Sequence, residues 1–213
     1  MEALERSLIN SNWITILLVF LFAFVFLLKT INVKRLKGHT FSLINNSFIE
    51  TEIEDQNTFF SLFKGLFFIF EMLVLSLFFY KVEVFYSEAI DEGFNTFFKV
   101  FGVIFTYFVA KRILELMLSK VFMLPNQVKF YLVSKSIYLY SVSILLLISI
   151  VLVEYSQLNT SFLIYFSMIL FSFRFIIQVV SNKKLIFSEL FYFILYLCTF
   201  EIAPLFILFK LMF

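Results

Sequence analysis

The sequence predicts an all-α fold, a polytopic helical membrane protein with about six transmembrane helices in one integral membrane domain, residues 1–213. Hydrophobic residues make up 62% of the chain, 35 residues are Phe, and the mean hydropathy is +0.99. A soluble domain is closer to half apolar, so most of this surface must face lipid or a membrane partner. The basic residues also fall in alternate loops between the apolar runs, as they do in multi-pass membrane proteins.

Runs of about 17–25 apolar residues are long enough to cross a hydrocarbon core about 30 Å thick. The sequence contains six candidate spans, at about residues 13–28, 59–80, 94–110, 137–153, 162–180 and 185–213. The first and fourth carry no charged residue, whereas the other four carry one or more. We therefore expect six crossings of the membrane.

The distribution of Lys and Arg predicts the orientation. Most of the 17 basic residues lie in the loops after the first, third and fifth spans: Lys29, Lys34, Arg35, Lys37, Lys111, Arg112, Lys120, Lys129, Lys135, Lys183 and Lys184. The opposite loops, KVEVFYSEAIDEG and EYSQLNT, are acidic or lack basic residues. Because Lys and Arg collect in cytoplasmic loops, we expect the basic loops in the cytoplasm and both termini on the periplasmic side of a bacterial inner membrane.

Two cytoplasmic segments are long enough to hold structure. The stretch ETEIED carries Glu50, Glu52, Glu54 and Asp55, which form either a solvated acidic loop or a docking patch for a basic partner. The stretch KRILELMLSKVFMLP, residues 111–125, begins with Lys111 and Arg112, which could share in docking. Its mixed apolar and charged pattern suits an interfacial amphipathic helix or a cytoplasmic extension of the third span. Its proline ends such a helix.

Ionisable residues inside spans are functional candidates because each is costly unless paired or hydrated. The candidates are Glu71, Lys99, Arg174, Glu189 and Glu201. Depths estimated at about 1.5 Å per residue predict two pairings, Arg174 with Glu71 or Glu189, and Lys99 with Glu201. Such charges could hold helices in register, conduct protons or ions, or contact the spans of a partner.

Pro204 follows Glu201 by three residues in the last span. Because proline lacks a backbone amide, we expect a kink or a helix end there. Broken helices also build substrate sites in transporters, but few Gly, Ala and Pro residues are available here for close packing or unwinding.

Motifs for chemistry are absent from the sequence: there is no HExxH, no GxSxG and no phosphate-binding loop. The single His, His39, and the single Cys, Cys198, cannot build a metal site alone. His39 lies in the basic stretch KRLKGHT without an obvious nucleophile, so we expect no chemical role for it. We expect no cofactor, no enzymatic activity and, at a net charge of +2, no nucleic acid partner.

The C-terminal stretch FYFILYLCTFEIAPLFILFKLMF resembles the closing signature of an uncharacterised Bacteroidota inner-membrane family, domain of unknown function 4271. In that family a run LYLC-x-x-E-I-x-P follows several apolar spans and an arginine in the penultimate span. That run falls here on Leu195–Cys198, Glu201, Ile202 and Pro204, and the arginine on Arg174. The resemblance implies a bacterial inner membrane of that lineage, and no reaction.

We interpret the chain as a non-catalytic accessory or scaffold subunit of an inner-membrane hetero-complex, in protein export or envelope biogenesis. Its expected partners are other integral membrane proteins and the lipid bilayer. The alternative is a proton- or ion-coupled small-solute transporter that uses Glu71, Glu201 and Arg174. An enzyme acting on a lipid-linked substrate would need converging polar groups, and the sequence offers no such set.

Overall fold

The computed structural model describes residues 12–43, 47–54, 62–86, 93–121, 126–156 and 158–181. These ranges are helical apart from short connections, and they contain no strand. In chain order the helices are α1 (Asn12–Ile31), α2 (Val33–Phe41), α3 (Ser47–Glu54), α4 (Leu62–Tyr86), α5 (Phe94–Val121), α6 (Asn126–Tyr155) and α7 (Thr160–Ser181). The all-α prediction is confirmed for this part of the chain.

Four of these helices are long and apolar enough to cross a membrane: α1, α4, residues 133–155 of α6, and α7. They correspond to the first, second, fourth and fifth predicted spans, which supports a multi-pass membrane protein. The third predicted span, 94–110, lies in α5, which does not reach the same combination of length and apolar composition. The sixth predicted span, 185–213, lies outside the described residues.

Helix α5 includes the third predicted span and most of the amphipathic stretch that follows it. It runs without a break from Phe94 to Val121, through the end of the third predicted span and into the stretch 111–125. Of the two interpretations of that stretch, the described part through Val121 is therefore the extension of the third span. Residues 122–125, including Pro125, lie outside the description.

Helices α4 and α6 form the centre of the bundle. In their apolar windows 56% of the residues are buried, against 22% in the windows of α1 and α7. Helix α4 packs against α1, α5 and α6, and α6 packs against α7. Helices α1 and α7 therefore present wide apolar faces to the surroundings, as lipid-facing helices do.

Serines replace glycine as the small residues between the central helices. Ser76 on α4 and Ser143 and Ser149 on α6 are all buried. Each hydroxyl donates to a carbonyl oxygen of its own helix, for example Ser76 to Met72 at 2.6 Å. A buried hydroxyl satisfied in this way costs little, and its small size lets helices approach closely in an apolar environment.

The long helices alternate in direction. At one end of the bundle Trp13 on α1 contacts Tyr80 near the end of α4 and Phe94 at the start of α5, with ring centroids 5.2 and 5.9 Å apart. At the other end Tyr138 on α6 donates to Ser181 at the end of α7, at 3.1 Å. Successive long helices therefore run antiparallel, as the alternate basic loops require.

An ion pair joins α4 to α6 just past Tyr80, where the predicted span ends. Lys81 Nζ lies 2.7 Å from Glu154 Oε2 on α6, and both side chains are mostly buried, at 20% and 14% exposure. The pairing lets two charged residues stay within the packed helices. Helix α4 itself extends to Tyr86.

We expect Lys81→Met to lower the free energy of unfolding by about 1 kcal/mol, because Glu154 loses its partner in a partly buried position. Exchanging the charges, in Lys81→Glu with Glu154→Lys, should recover most of that loss. Thermal unfolding in detergent measures both variants. Equal stability of Lys81→Met and the parent chain would show that the ion pair does not hold α4 to α6.

Candidate functional site beneath helices α2 and α3

Helices α2 and α3 form a small cap at the end of the bundle where α1 ends and α4 begins. Asn32 caps the N-terminus of α2, because its extended backbone lets the side-chain oxygen accept from Arg35 N at 3.0 Å. The Ser141 hydroxyl on α6 donates to Thr40 O at 2.7 Å. Both cap helices pack on α6, and α2 also packs on α1.

Gly38 allows the two cap helices to approach each other. A Cβ atom at this position would overlap the ring of Phe48 on α3. The ring in turn lies against the imidazole of His39, with centroids 5.0 Å apart. Glycine is therefore needed here for close approach, with the side chain of α3 filling the space that a larger residue would occupy.

His39 is enclosed by aromatic rings and is only 1% exposed. Its imidazole lies 5.0 to 5.6 Å, between ring centroids, from rings on three helices: Phe48, Phe63, Phe67 and Tyr140. Neither Nδ1 nor Nε2 has a hydrogen-bond partner among the described residues. Burial first, and then the positive charges of Lys64 and Arg35, lower the pKa of His39 from 6.5 to about 3. The imidazole is therefore neutral at any physiological pH.

Glu52 supplies the negative charge of the cap. Its side chain is 3% exposed, with Oε2 3.5 Å from Arg35 Nε on α2 and Oε1 3.0 Å from Lys64 Nζ on α4. One carboxylate thus links α2, α3 and α4. Two cations compensate its charge, which a buried carboxylate requires.

This geometry differs from what we predict from ETEIED. Glu52 faces the interior and pairs with cations of its own chain, because α3 packs on α6 and its carboxylate reaches Arg35 and Lys64. It is therefore not part of a solvated loop or an outward docking patch. Glu50 and Glu54 lie on α3, but their side chains, like Asp55, are outside the described part of the chain.

Glu71 lies deeper in α4, two helical turns beyond Lys64, and is 3% exposed. Tyr140 on α6 is buried too, and its ring lies 5.5 Å from the imidazole of His39, between ring centroids. Tyr140 also packs on Phe67, with ring centroids 4.5 Å apart. We call the set His39, Glu52, Glu71 and Tyr140, with the cations Arg35 and Lys64, the cap site.

The remaining intramembrane candidates are spread over the bundle. Arg174 on α7 donates from one terminal nitrogen to Lys135 O at 3.2 Å, a contact that the sequence does not predict. Its pairing with Glu71 or Glu189 stays a prediction, and Glu189 lies outside the described residues. Lys99 is exposed on α5. Its predicted partner Glu201, together with Pro204, also lies outside them.

The two basic residues at the start of the predicted docking stretch lie on α5. Lys111 Nζ sits 5.7 Å from the centroid of the Tyr107 ring, a cation–π contact one turn away. Arg112 is half-buried on the same helix.

The family model described as "Domain of unknown function (DUF4271)" matches residues 14–212. The chain belongs to the DUF4271 family. The match includes every helix of the bundle and the whole cap site of this DUF4271 protein. No curated protein and no solved structure matches the chain.

The sequence contains a signal for the cap site that its composition obscures. Leu36, His39 and Leu43 follow one another at intervals of three and four residues, the spacing of one helix face. The positive charge of KRLKGHT dominates the composition of this stretch and favours a basic loop. The periodicity, in contrast, places His39 on a buried helix face.

In the docked state of the cap, α2 and α3 pack against the bundle; in the released state they do not. We expect the docked state to lose stability as the pH falls below 6.5. Because the pKa of His39 is lowered in the docked state, the released state binds the extra proton between pH 6.5 and about 3. Docking therefore weakens by about 1.4 kcal/mol per pH unit in that window and is unaffected above it. NMR of the imidazole nitrogens of His39 measures its protonation state. Thermal unfolding across this pH range measures the stability.

The matched control is His39→Phe, which keeps an aromatic ring and removes the titrating group. This variant should be as stable as the parent chain at neutral pH and should lose the acid-dependent part of the transition. Titration of His39 near its ordinary pKa of 6.5 in the folded protein would contradict the buried, neutral imidazole.

Proposed function

We propose that this DUF4271 protein is a non-catalytic accessory or scaffold subunit of a bacterial inner-membrane complex that serves protein export or envelope biogenesis. We further propose six membrane crossings, with both termini on the periplasmic side and the cap in the cytoplasm. The Bacteroidota lineage implied by the C-terminal signature supports the choice of process. The features below support the role as a subunit.

The observation that carries the proposal is the outward face of α5. Its exposed residues include a helical stripe of polar or small side chains, beside which four large apolar side chains are exposed as well. The stripe consists of Asn95, Lys99, Gly102, Thr106 and Ala110, and the apolar residues are Phe94, Phe98, Phe105 and Ile113. At about 1.5 Å per residue, the 28 residues of α5 are roughly 42 Å long, enough to cross a bilayer. Acyl chains cannot neutralise Lys99 within this stripe.

Spacing along the stripe favours another helix as the occupant. Gly102, Thr106 and Ala110 follow one another at intervals of four residues, the arrangement that lets two helices approach closely in a membrane. The Thr106 hydroxyl donates to Gly102 O at 2.8 Å, so the polar atom is satisfied within α5. We infer that a helix of a partner subunit packs along this face, with an acidic or polar group opposite Lys99.

The buried charges of the described residues support a structural role over a catalytic one. Glu52 is engaged by Arg35 and Lys64, and Lys81 by Glu154. These ion pairs join helices to one another. The alternation of the helices and the basic character of the cap end support the proposed orientation.

Photo-crosslinking in the native membrane tests the proposed partner. A photoreactive residue at Thr106 should give a discrete adduct that contains a second membrane protein, identified by mass spectrometry. The matched control is Ile169, which is 66% exposed on the apolar face of α7 and should crosslink only to lipid. Purification in mild detergent should recover the same companion in constant proportion.

Two results would contradict the proposal. One is recovery of the chain without a companion, with Thr106 reacting only with lipid. The other is a crosslink from Thr106 to residues 185–213 of the same chain. That product would favour the predicted pairing of Lys99 with Glu201 and would assign the stripe to internal packing.

The second candidate function is proton- or ion-coupled transport of a small solute. It is favoured by Glu71, a carboxyl group buried within a membrane-spanning helix, where a proton carrier would lie. Liposomes that contain only this protein should then show flux driven by a pH gradient, and Glu71→Gln should abolish it. Absence of flux from the parent protein in such liposomes would exclude transport by this chain alone and would leave the subunit proposal intact.

A further inference from the structure

The position of α2 along the chain fixes its depth relative to the membrane. Helix α1 is apolar enough to cross a bilayer and ends at Ile31. Asn32 is the only residue between it and α2, which begins at Val33. Because one residue spans less than about 4 Å, the start of α2 must lie at the boundary between hydrocarbon and headgroups.

Helix α2 has two faces of different chemistry. Its inward face carries Arg35 and His39, which belong to the cap site. Its outward face carries Val33, Lys34, Lys37 and Phe41, all exposed, with Val33 at 57% and Phe41 at 53%. At the end of α1, Lys29 and Ile31 are exposed as well, which extends the outward face of α2 towards the span. We call these six residues the α2 outer face.

The basic residues on the inner and outer faces of α2 differ in their ion pairs with carboxylates. On the inner face, Arg35 is 3.5 Å from Glu52, which it shares with Lys64. On the outer face, no ion pair joins Lys29, Lys34 or Lys37 to another described residue. Lys34 and Lys37 are three residues apart, so they project from the same side of the helix.

Exposed lysines interleaved with exposed apolar side chains at headgroup depth fit an anionic bilayer surface. A basic amphipathic helix buries its apolar residues at the acyl boundary while its lysines meet the lipid phosphates. We propose that the α2 outer face binds the headgroups of anionic phospholipids in the adjacent leaflet. Val33 and Phe41 insert at the acyl boundary, and the three lysines contact the phosphates.

This binding surface is distinct from the α5 stripe, and it does not depend on a partner subunit. It makes the docking of the cap depend on lipid composition, because the same short helix carries the lysines on one side and His39 on the other. Anionic lipid holds α2 against the membrane and thereby favours the docked cap.

The test uses the full chain in nanodiscs of phosphatidylcholine alone or of phosphatidylcholine mixed with phosphatidylglycerol. Native mass spectrometry counts the lipids that stay bound, and thermal unfolding reports the stability. We expect selective retention of phosphatidylglycerol and a higher unfolding temperature in its presence. Both effects should disappear at about 1 M salt, where charges are screened within about 3 Å.

The variant Lys34→Gln with Lys37→Gln should lose selectivity for phosphatidylglycerol roughly 25-fold, since each lysine near an anionic surface contributes about fivefold. The matched control is Lys99→Gln, which removes an exposed lysine on α5 and should keep the selectivity. Both substitutions are on exposed side chains, and circular dichroism checks that the helices remain.

Three outcomes would overturn the proposal. Equal retention of the two lipids by the parent chain would remove the selectivity itself. Full selectivity in the Lys34 and Lys37 variant would assign it to other residues. Displacement of the lipid by inorganic phosphate at similar concentration would identify a site for free phosphate in place of a membrane surface.

Discussion

Charge compensation around Glu52 is the interaction on which the cap end of this protein depends. A carboxylate that is 3% exposed is tolerated only with opposite charges close by, and Arg35 and Lys64 provide them from two other helices. Burial first, and then the same two cations, keep His39 neutral. One acidic residue therefore links α3 to α2 and α4, and the cations that pair with it also lower the pKa of a histidine on the neighbouring helix.

The rest of the bundle follows from a second constraint, that polar groups in an apolar environment must be satisfied locally. Buried serines on α4 and α6 donate to carbonyls of their own helices, so they let the central helices pack closely without leaving a polar atom unpaired. Lys81 and Glu154 meet the same requirement by pairing across the two helices. The apolar faces of α1 and α7 need no such arrangement and face outwards. The stripe on α5 is the exception, which is why it carries the functional proposal.

The ends of the predicted spans show where sequence patterns no longer predict the ends of the helices. Hydropathy identifies α1, α4, α6 and α7 as spans, but it ends the second span at Tyr80 because Lys81 and Glu83 follow. The helix continues to Tyr86, and Glu154, some seventy residues later, neutralises Lys81. The stretch 111–125 is ambiguous for a related reason, since its mixed pattern suits either a separate interfacial helix or an extension of α5. Helix α5 continues without a break through Val121, so the described part of that stretch is an extension of α5.

Composition and the order of apolar and basic segments were enough to determine the class of this protein, a helical membrane protein with alternating spans, because burial in lipid selects for composition directly. The C-terminal signature was enough to indicate the DUF4271 family. The cap site was decided only by tertiary structure. Its members come from residues 35 to 140, and a carboxylate in an acidic run looks the same in sequence whether it faces water or two cations. Burial of Glu52 depends on where α2 and α3 fold against α4 and α6, which local pattern does not encode.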